Sequence, residues 1–214
     1  MTASLTSTLS SDTSGKTNYW RTSGCAVWLT GLPSSGKSTL AHALFATLRR
    51  RRISAEILDG DDVRRGLSPD LGFTRSDRDE HIRRIGFVCS ILARHGIIAI
   101  SAAISPYASA RLAVRNQLRK FLEVYVRCPL AVCMERDPKG LYAKALRGDL
   151  EHFTGISDPY EEPEAADVVV DTAICSVDSE VDKIVSALFE RGYLWNARRS
   201  KTDRKPAVDD GQVI

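Results

Sequence analysis

The 214 residues, 43% of them hydrophobic, suffice for one domain with a sizeable core. A formal net charge of +3 gives no argument for nucleic acid. The longest apolar run, Gly96 to Ile104, is strand-sized, so no membrane span is expected. Five cysteines without C-x-x-C spacing and four histidines without an H-x-x-x-H pair argue against a zinc site or disulfide framework. A reducing, cytoplasmic compartment is expected. The cationic side is unbalanced, with 22 Arg against 8 Lys, and Arg is the better fork for phosphate or sulfate. The run Arg49 to Arg52 suits the C-terminal dipole of a helix and needs no ligand.

Residues 1–18 are Ser/Thr-rich without apolar periodicity and are expected to be disordered. They lack the charged start and apolar stretch of a secretory signal, and one Lys with no Arg argues against a plastid transit peptide. An ordered domain is expected over 19–197, followed by a disordered tail, 198–214. Cys25 to Thr30 is an apolar run suited to a buried strand, and Ser38 to Arg52 carries Leu40, Ala41, Leu44, Phe45 and Leu48 at helical spacing. Ile53 to Leu58 reads as a second strand, ending in Asp59-Gly60-Asp61-Asp62. Ser76 to Asp79 resembles a capping box, opening a helix with the stripe Ile82, Ile85, Val88, Cys89 and Leu92. Gly96 stops that helix before a third strand, Ile97 to Ser101.

A helix over Ala108 to Leu118, a strand over Phe121 to Val126 and a short helix over Pro129 to Arg136 follow. Asp137 to Pro163 mixes Gly, Pro and charge without a long apolar stripe, the composition of a mobile lid. Asp167 to Val170 is a fifth strand and Val177 to Gly192 a closing helix. There are no internal repeats. The alternation predicts an α/β fold, a five-stranded mostly parallel sheet with helices on both faces. Ligands in such sheets sit beyond the C-terminal strand ends, so the loop after the first strand, Asp59 to Asp62, and Ser101 to Tyr107 should converge.

Between the first strand and its helix, Gly31-Leu32-Pro33-Ser34-Ser35-Gly36-Lys37-Ser38 matches G-x-x-x-x-G-K-[ST]. The glycines let successive N–H groups face phosphate oxygens, and the helix N-terminus adds partial positive charge. Gly31 through Thr39 is therefore the expected ATP-binding segment, with Lys37 on the β- and γ-phosphates and Ser38 on Mg²⁺. The third strand ends in Ser101, not the acid of a Walker-B strand, and there is no N-K-x-D guanine-reading motif. Asp137 to Gly140 fits D-x-x-G but follows the wrong strand for a GTPase switch. The acids come from the second strand, across from the loop, which favours a small-molecule kinase with a lid.

The chain resembles the adenylyl-sulfate (APS) kinase family of P-loop kinases. The resemblance rests on Leu58-Asp59-Gly60-Asp61, Val63-Arg64, Asp70-Leu71-Gly72-Phe73, Asp77-Arg78, Ile82-Arg83-Arg84-Ile85, Ile104-Ser105-Pro106-Tyr107, Arg136 to Tyr142, Phe153-Thr154-Gly155-Ile156 and Asp158 to Glu161, in that order. It runs from about Tyr19 to Gly192. It implies a P-loop nucleoside-triphosphate hydrolase-like kinase fold and transfer of the ATP γ-phosphoryl to the 3′-hydroxyl of adenylyl sulfate, with Mg²⁺. It further implies a homodimer and an ATP sulfurylase partner.

By the same resemblance, Asp61 orients the ribose hydroxyl and accepts its proton, Arg64 and Arg78 anchor the phosphosulfate, and Phe73 and Phe153 flank the acceptor adenine. Ile104, Ser105, Pro106 and Tyr107 shape the acceptor pocket, with Gly155 in the lid and Lys139 meeting phosphate on closure. The family position of Ser105 implies a phosphoserine intermediate, but no activating base stands near it in sequence, so direct in-line transfer is expected. Without the resemblance, Asp59 or Asp61 is a helix cap, the arginines are surface residues and the phenylalanines are core. Asp62 and His81 stand where the family commonly has Asn, and Ala108 to Arg111 keeps only the final Arg of an Arg-rich segment. A related kinase with another nucleotide-like acceptor is the alternative. A non-catalytic nucleotide-binding subunit conflicts with the intact Lys37, Ser38 and Asp61.

Overall fold

The computed structural model describes residues 20–196; the two terminal segments expected to be disordered lie outside them. Five strands form one parallel sheet in the order β3 (Ala55–Asp59), β4 (Ile98–Ala102), β2 (Cys25–Thr30), β5 (Phe121–Arg127) and β6 (Val168–Asp171). The P-loop strand β2 is central, buried at every residue, and its side chains alternate between two cores. Cys25, Val27 and Leu29 pack on the side of α1 (Lys37–Arg50) and α7 (Val177–Glu190). Ala26 and Trp28 pack with α3 (Arg75–Arg94) and α4 (Ala108–Gln117) on the other. A parallel strand covered on both faces reads as a continuous apolar run, which is how this one reads.

Leu40, Ala41, Leu44 and Leu48 of α1 are buried as their spacing requires. On α3 the buried set is Ile82, Ile85 and Cys89, with Leu92 partly covered. Its start differs from expectation. Thr74, not Ser76, is the N-cap: its hydroxyl oxygen accepts from Asp77 N–H at 3.2 Å and its O–H lies 2.7 Å from the Asp77 carboxylate. The reciprocal pair is therefore Thr74/Asp77, because the chain bends at Phe73-Thr74 and the helix begins at Arg75.

Three features were not expected from periodicity. A helix α2 (Gly60–Leu67) follows β3 at once, α5 (Leu130–Arg136) is followed inside the lid segment by α6 (Leu141–Leu146), and β1 (Trp20–Thr22) pairs antiparallel with β7 (Leu194–Asn196). That ribbon joins the two ends of the described chain, with Trp20 edge-on to Phe189 at 4.9 Å. Among the described residues no helix is long and apolar enough to cross a membrane.

Candidate active site

At the C-terminal edge of the sheet the P-loop, the end of β3 and the segment after β4 converge on one cavity of about 750 Å³. This is the convergence that strand order demands. Gly31 has no room for a side chain, since a Cβ would lie 2.5 Å from Val126 O, and Gly36 caps α1 with φ 94°. The Lys37 amine donates to Gly31 O at 3.0 Å and Leu32 O at 2.6 Å. Burial pushes its pKa down to about 8, against the pull of nearby Cys133, Asp59 and Asp61.

Ser38 donates its hydroxyl to Asp59 Oδ2 at 2.6 Å, while Asp59 Oδ1 accepts from Asp61 N–H at 3.0 Å and caps α2. Asp59 is thus both the cap and the acid beside Ser38, a pairing across 21 positions of sequence that motif reading did not show. Asp61, freed from capping, forms an ion pair with Lys139 from the lid. Among the described residues no group of three His, Cys, Asp or Glu could hold a metal alone. Ser38 and Asp59 suit a divalent cation that takes most of its ligands from phosphates and water.

On the β3 side, Arg64 and Arg78 stand over the Phe73 ring, 4.7 and 5.5 Å from its centroid. Arg64 donates to Gly72 O at 2.7 Å, and Arg78 donates to Phe73 O at 2.9 Å and to His152 O. Arg78 therefore ties the start of α3 to the residue before Phe153. Phe153 packs edge-on against Tyr142 at 5.0 Å, and the Tyr142 hydroxyl donates to Pro33 O, so the lid rests on the P-loop. Phe73, Phe153, Ile104, Ser105, Pro106 and Lys139 all line the cavity.

Four expected site residues behave differently. Tyr107 is buried behind the wall, with Arg75 stacked on its ring at 4.4 Å. Gly155 packs on Leu32 instead of reaching the cavity. His81 reaches the wall, but its Nε2–H donates to Gly60 O at 3.2 Å and its Nδ1 meets the Ser68 hydroxyl at 3.0 Å. Burial lowers its pKa to about 4, so it is neutral and braces α2 against α3. Ser105 is 1% exposed, with φ 48°; its Oγ accepts from Trp28 Nε1–H at 3.0 Å and its carbonyl from Arg111 Nη1 at 2.7 Å. These contacts shape a turn and offer no base to activate a nucleophile.

Sequence reading also missed the wall on the β6 side, formed by Arg136, Thr172, Cys175, Val177 and Glu180. Its one local signal is the capped start of α7 at Ser176, whose hydroxyl oxygen accepts from Ser179 N–H.

A P-loop facing acids at the end of β3, two strands away in the sheet, beside an arginine-flanked aromatic, defines a P-loop small-molecule kinase. The model of the adenylylsulphate kinase family matches residues 23–171. An adenylyl-sulfate kinase of Myxococcus xanthus is 51% identical over 178 residues, 81% of this chain and 96% of that protein. A probable bifunctional SAT/APS kinase 2 of Sorangium cellulosum is 52% identical over 172 residues, 80% of this chain but 30% of that protein. The solved Mycobacterium tuberculosis APS kinase, in complex with AMPPNP and APS, superposes with a TM-score of 0.75 at 42% identity, covering 78% of this chain and 98% of that one. The chain belongs to the adenylyl-sulfate kinase family. It is an ATP-dependent kinase that converts adenylyl sulfate to 3′-phosphoadenylyl sulfate.

Proposed function

We propose that transfer runs directly from ATP to the acceptor 3′-hydroxyl within this one cavity, with Asp61 taking the hydroxyl proton. The observation that carries the reading is that one cavity holds both the Lys37–Ser38–Asp59 group and Asp61, Arg64, Phe73 and Arg78. The acceptor oxygen attacks the γ-phosphorus, the bond to the β-phosphate oxygen breaks, ADP leaves, and the proton passes to Asp61. Lys37 balances charge on the moving phosphoryl in a site where water is scarce. Asp61 is released for this role when Lys139 exchanges its carboxylate for phosphate oxygens.

Ser38 and Asp59 would hold Mg²⁺, which supplies further charge neutralisation when bound with ATP. Arg64 and Arg78 face the phosphosulfate, and Phe73 and Phe153 the acceptor adenine. Ser105 shapes the pocket through its backbone and is not phosphorylated. A cytoplasmic homodimer fits the resemblance and the free thiols at all five described cysteines. The relative whose name joins SAT to APS kinase supports a sulfurylase partner for this chain.

The test compares adenylyl sulfate with AMP as acceptor, reading product masses in the presence of Mg-ATP. Phosphorylation of adenylyl sulfate with little reaction of AMP is expected, because the arginines need the extra anionic group. Equal use of AMP, or of an unrelated hydroxyl compound, would overturn the acceptor assignment.

A further inference from the structure

We propose that Glu180 reads the exocyclic amine of the phosphoryl donor's base, making the donor site selective for a 6-aminopurine nucleotide. The proposal rests on the reading of this cavity as the ATP site. The strand order puts the P-loop between two sides of the cavity. Asp61, Arg64 and Phe73 form one, on the β3 side, and Thr172, Cys175 and Glu180 belong to the other. Thr172 donates its hydroxyl to Ser35 O at 2.7 Å, and its methyl carbon would lie 3.4 Å from a Cβ on Gly36, so the second side begins at the phosphate loop itself. With the acceptor nucleotide on the β3 side, the nucleoside of ATP takes this second side.

Glu180 stands in the first turn of α7, is 1% exposed and contributes to the cavity wall. Its Oε1 accepts from Lys183 Nζ at 2.7 Å. Its Oε2 is buried without a hydrogen-bond partner. A hydrogen bond to the Glu180 carboxylate pushes the Cys175 thiol up, but a thiol is a weak donor and leaves Oε2 without a strong one. A buried acceptor lacking a good donor is costly, and a ligand that brings a donor relieves that cost. Adenine N6 brings an N–H to the single free oxygen. Guanine presents a carbonyl at that position, and its N1–H and N2–H pair calls for two free acceptors, of which Lys183 has already taken one.

The test is steady-state 3′-phosphoadenylyl sulfate formation with four donors: ATP, purine riboside triphosphate (the same ring without the amine), 2′-deoxy-ATP and GTP. The wild type, Glu180→Leu and the size-matched Glu180→Gln are compared. The wild type should favour ATP over purine riboside triphosphate by about ten- to a hundredfold in kcat/KM, the worth of one hydrogen bond to a charged group. Glu180→Leu should bring that ratio close to one, with KM for adenylyl sulfate unchanged. Glu180→Gln should lower it in part and improve GTP relative to ATP, since a rotated amide can donate to O6; this variant decides if the leucine variant does not fold. An unchanged ratio in the folded variants, or a wild type that prefers GTP, overturns the proposal. So does a change confined to 2′-deoxy-ATP, which would put Glu180 on the ribose. A wild type that makes no product from ATP overturns the kinase reading beneath it, and the proposal with it.

Discussion

Lys37 shows how one side chain is tuned by its surroundings. Held by two loop carbonyls and stripped of water, its amine has a pKa lowered to about 8. The ammonium is the form that binds phosphate, so kcat/KM for ATP should fall as pH rises through about 8. The kcat should hold to higher pH, because bound triphosphate favours the charged form. Parallel declines of both across that range would contradict this assignment. Asp61 is the second single-residue test. Asp61→Asn keeps the shape but cannot accept a proton, and loss of a general base costs about 10²- to 10⁴-fold in rate. A fall in kcat with little change in KM for ATP is expected. An unchanged kcat in Asp61→Asn would mean that the base stands elsewhere.

At the scale of elements, α2, α3 and the lid are tied by a few polar contacts whose loss is measurable. His81 is the brace between α2 and α3, with its pKa lowered to about 4 by burial. Between pH 6.5 and about 4 the unfolded chain binds a proton there and the folded chain does not, so stability falls as pH falls through that window. His81→Asn, with no proton to take up, should show a flatter decline of Tm between pH 6.5 and 4. Equal slopes would show that other groups carry the acid sensitivity. Phe73 and Phe153 come from distant elements that Arg78 links. A base stacked on an aromatic is worth about 1–3 kcal/mol, so each alanine variant should weaken adenylyl sulfate binding by about ten- to a hundredfold. If both rings cover one adenine, the double variant should lose less than the sum. Strict additivity in a binding titration would mean the rings act apart.

The same elements show what the chain made legible. The P-loop could be read because each of its positions answers a local backbone demand, and the buried strands because both faces are apolar. Ser38 with Asp59, Lys139 with Asp61 and Trp28 with Ser105 could not, since each joins residues far apart in sequence. Glu180 gave no signal, because its burial depends on how α7 packs on α1 and β6. The strands β1 and β7, of three residues each, are too short for a period.

Over the whole molecule, charge is buried behind the cavity wall formed by the turn after β4. Arg111 joins Glu123 at 3.0 Å, Ser105 O at 2.7 Å and Glu161 O at 2.7 Å, fixing the far root of the lid to the turn after β4. Glu123 continues to Arg115, and Arg115 to Asp167 at the start of the β6 segment. Thr30 extends the frame, donating to Ile104 O at 2.7 Å and meeting the Tyr160 hydroxyl at 3.0 Å. Rigid walls that hold two nucleotides in fixed register are what in-line transfer requires. The most direct test is a rapid-quench single turnover with ATP labelled at the γ-phosphate and excess adenylyl sulfate. The label should pass in one phase to the 3′ position of the product, removable by a 3′-nucleotidase, with none on protein at any time. Label trapped on Ser105 before product appears, or lost to water while adenylyl sulfate stays unreacted, would contradict direct transfer in this cavity.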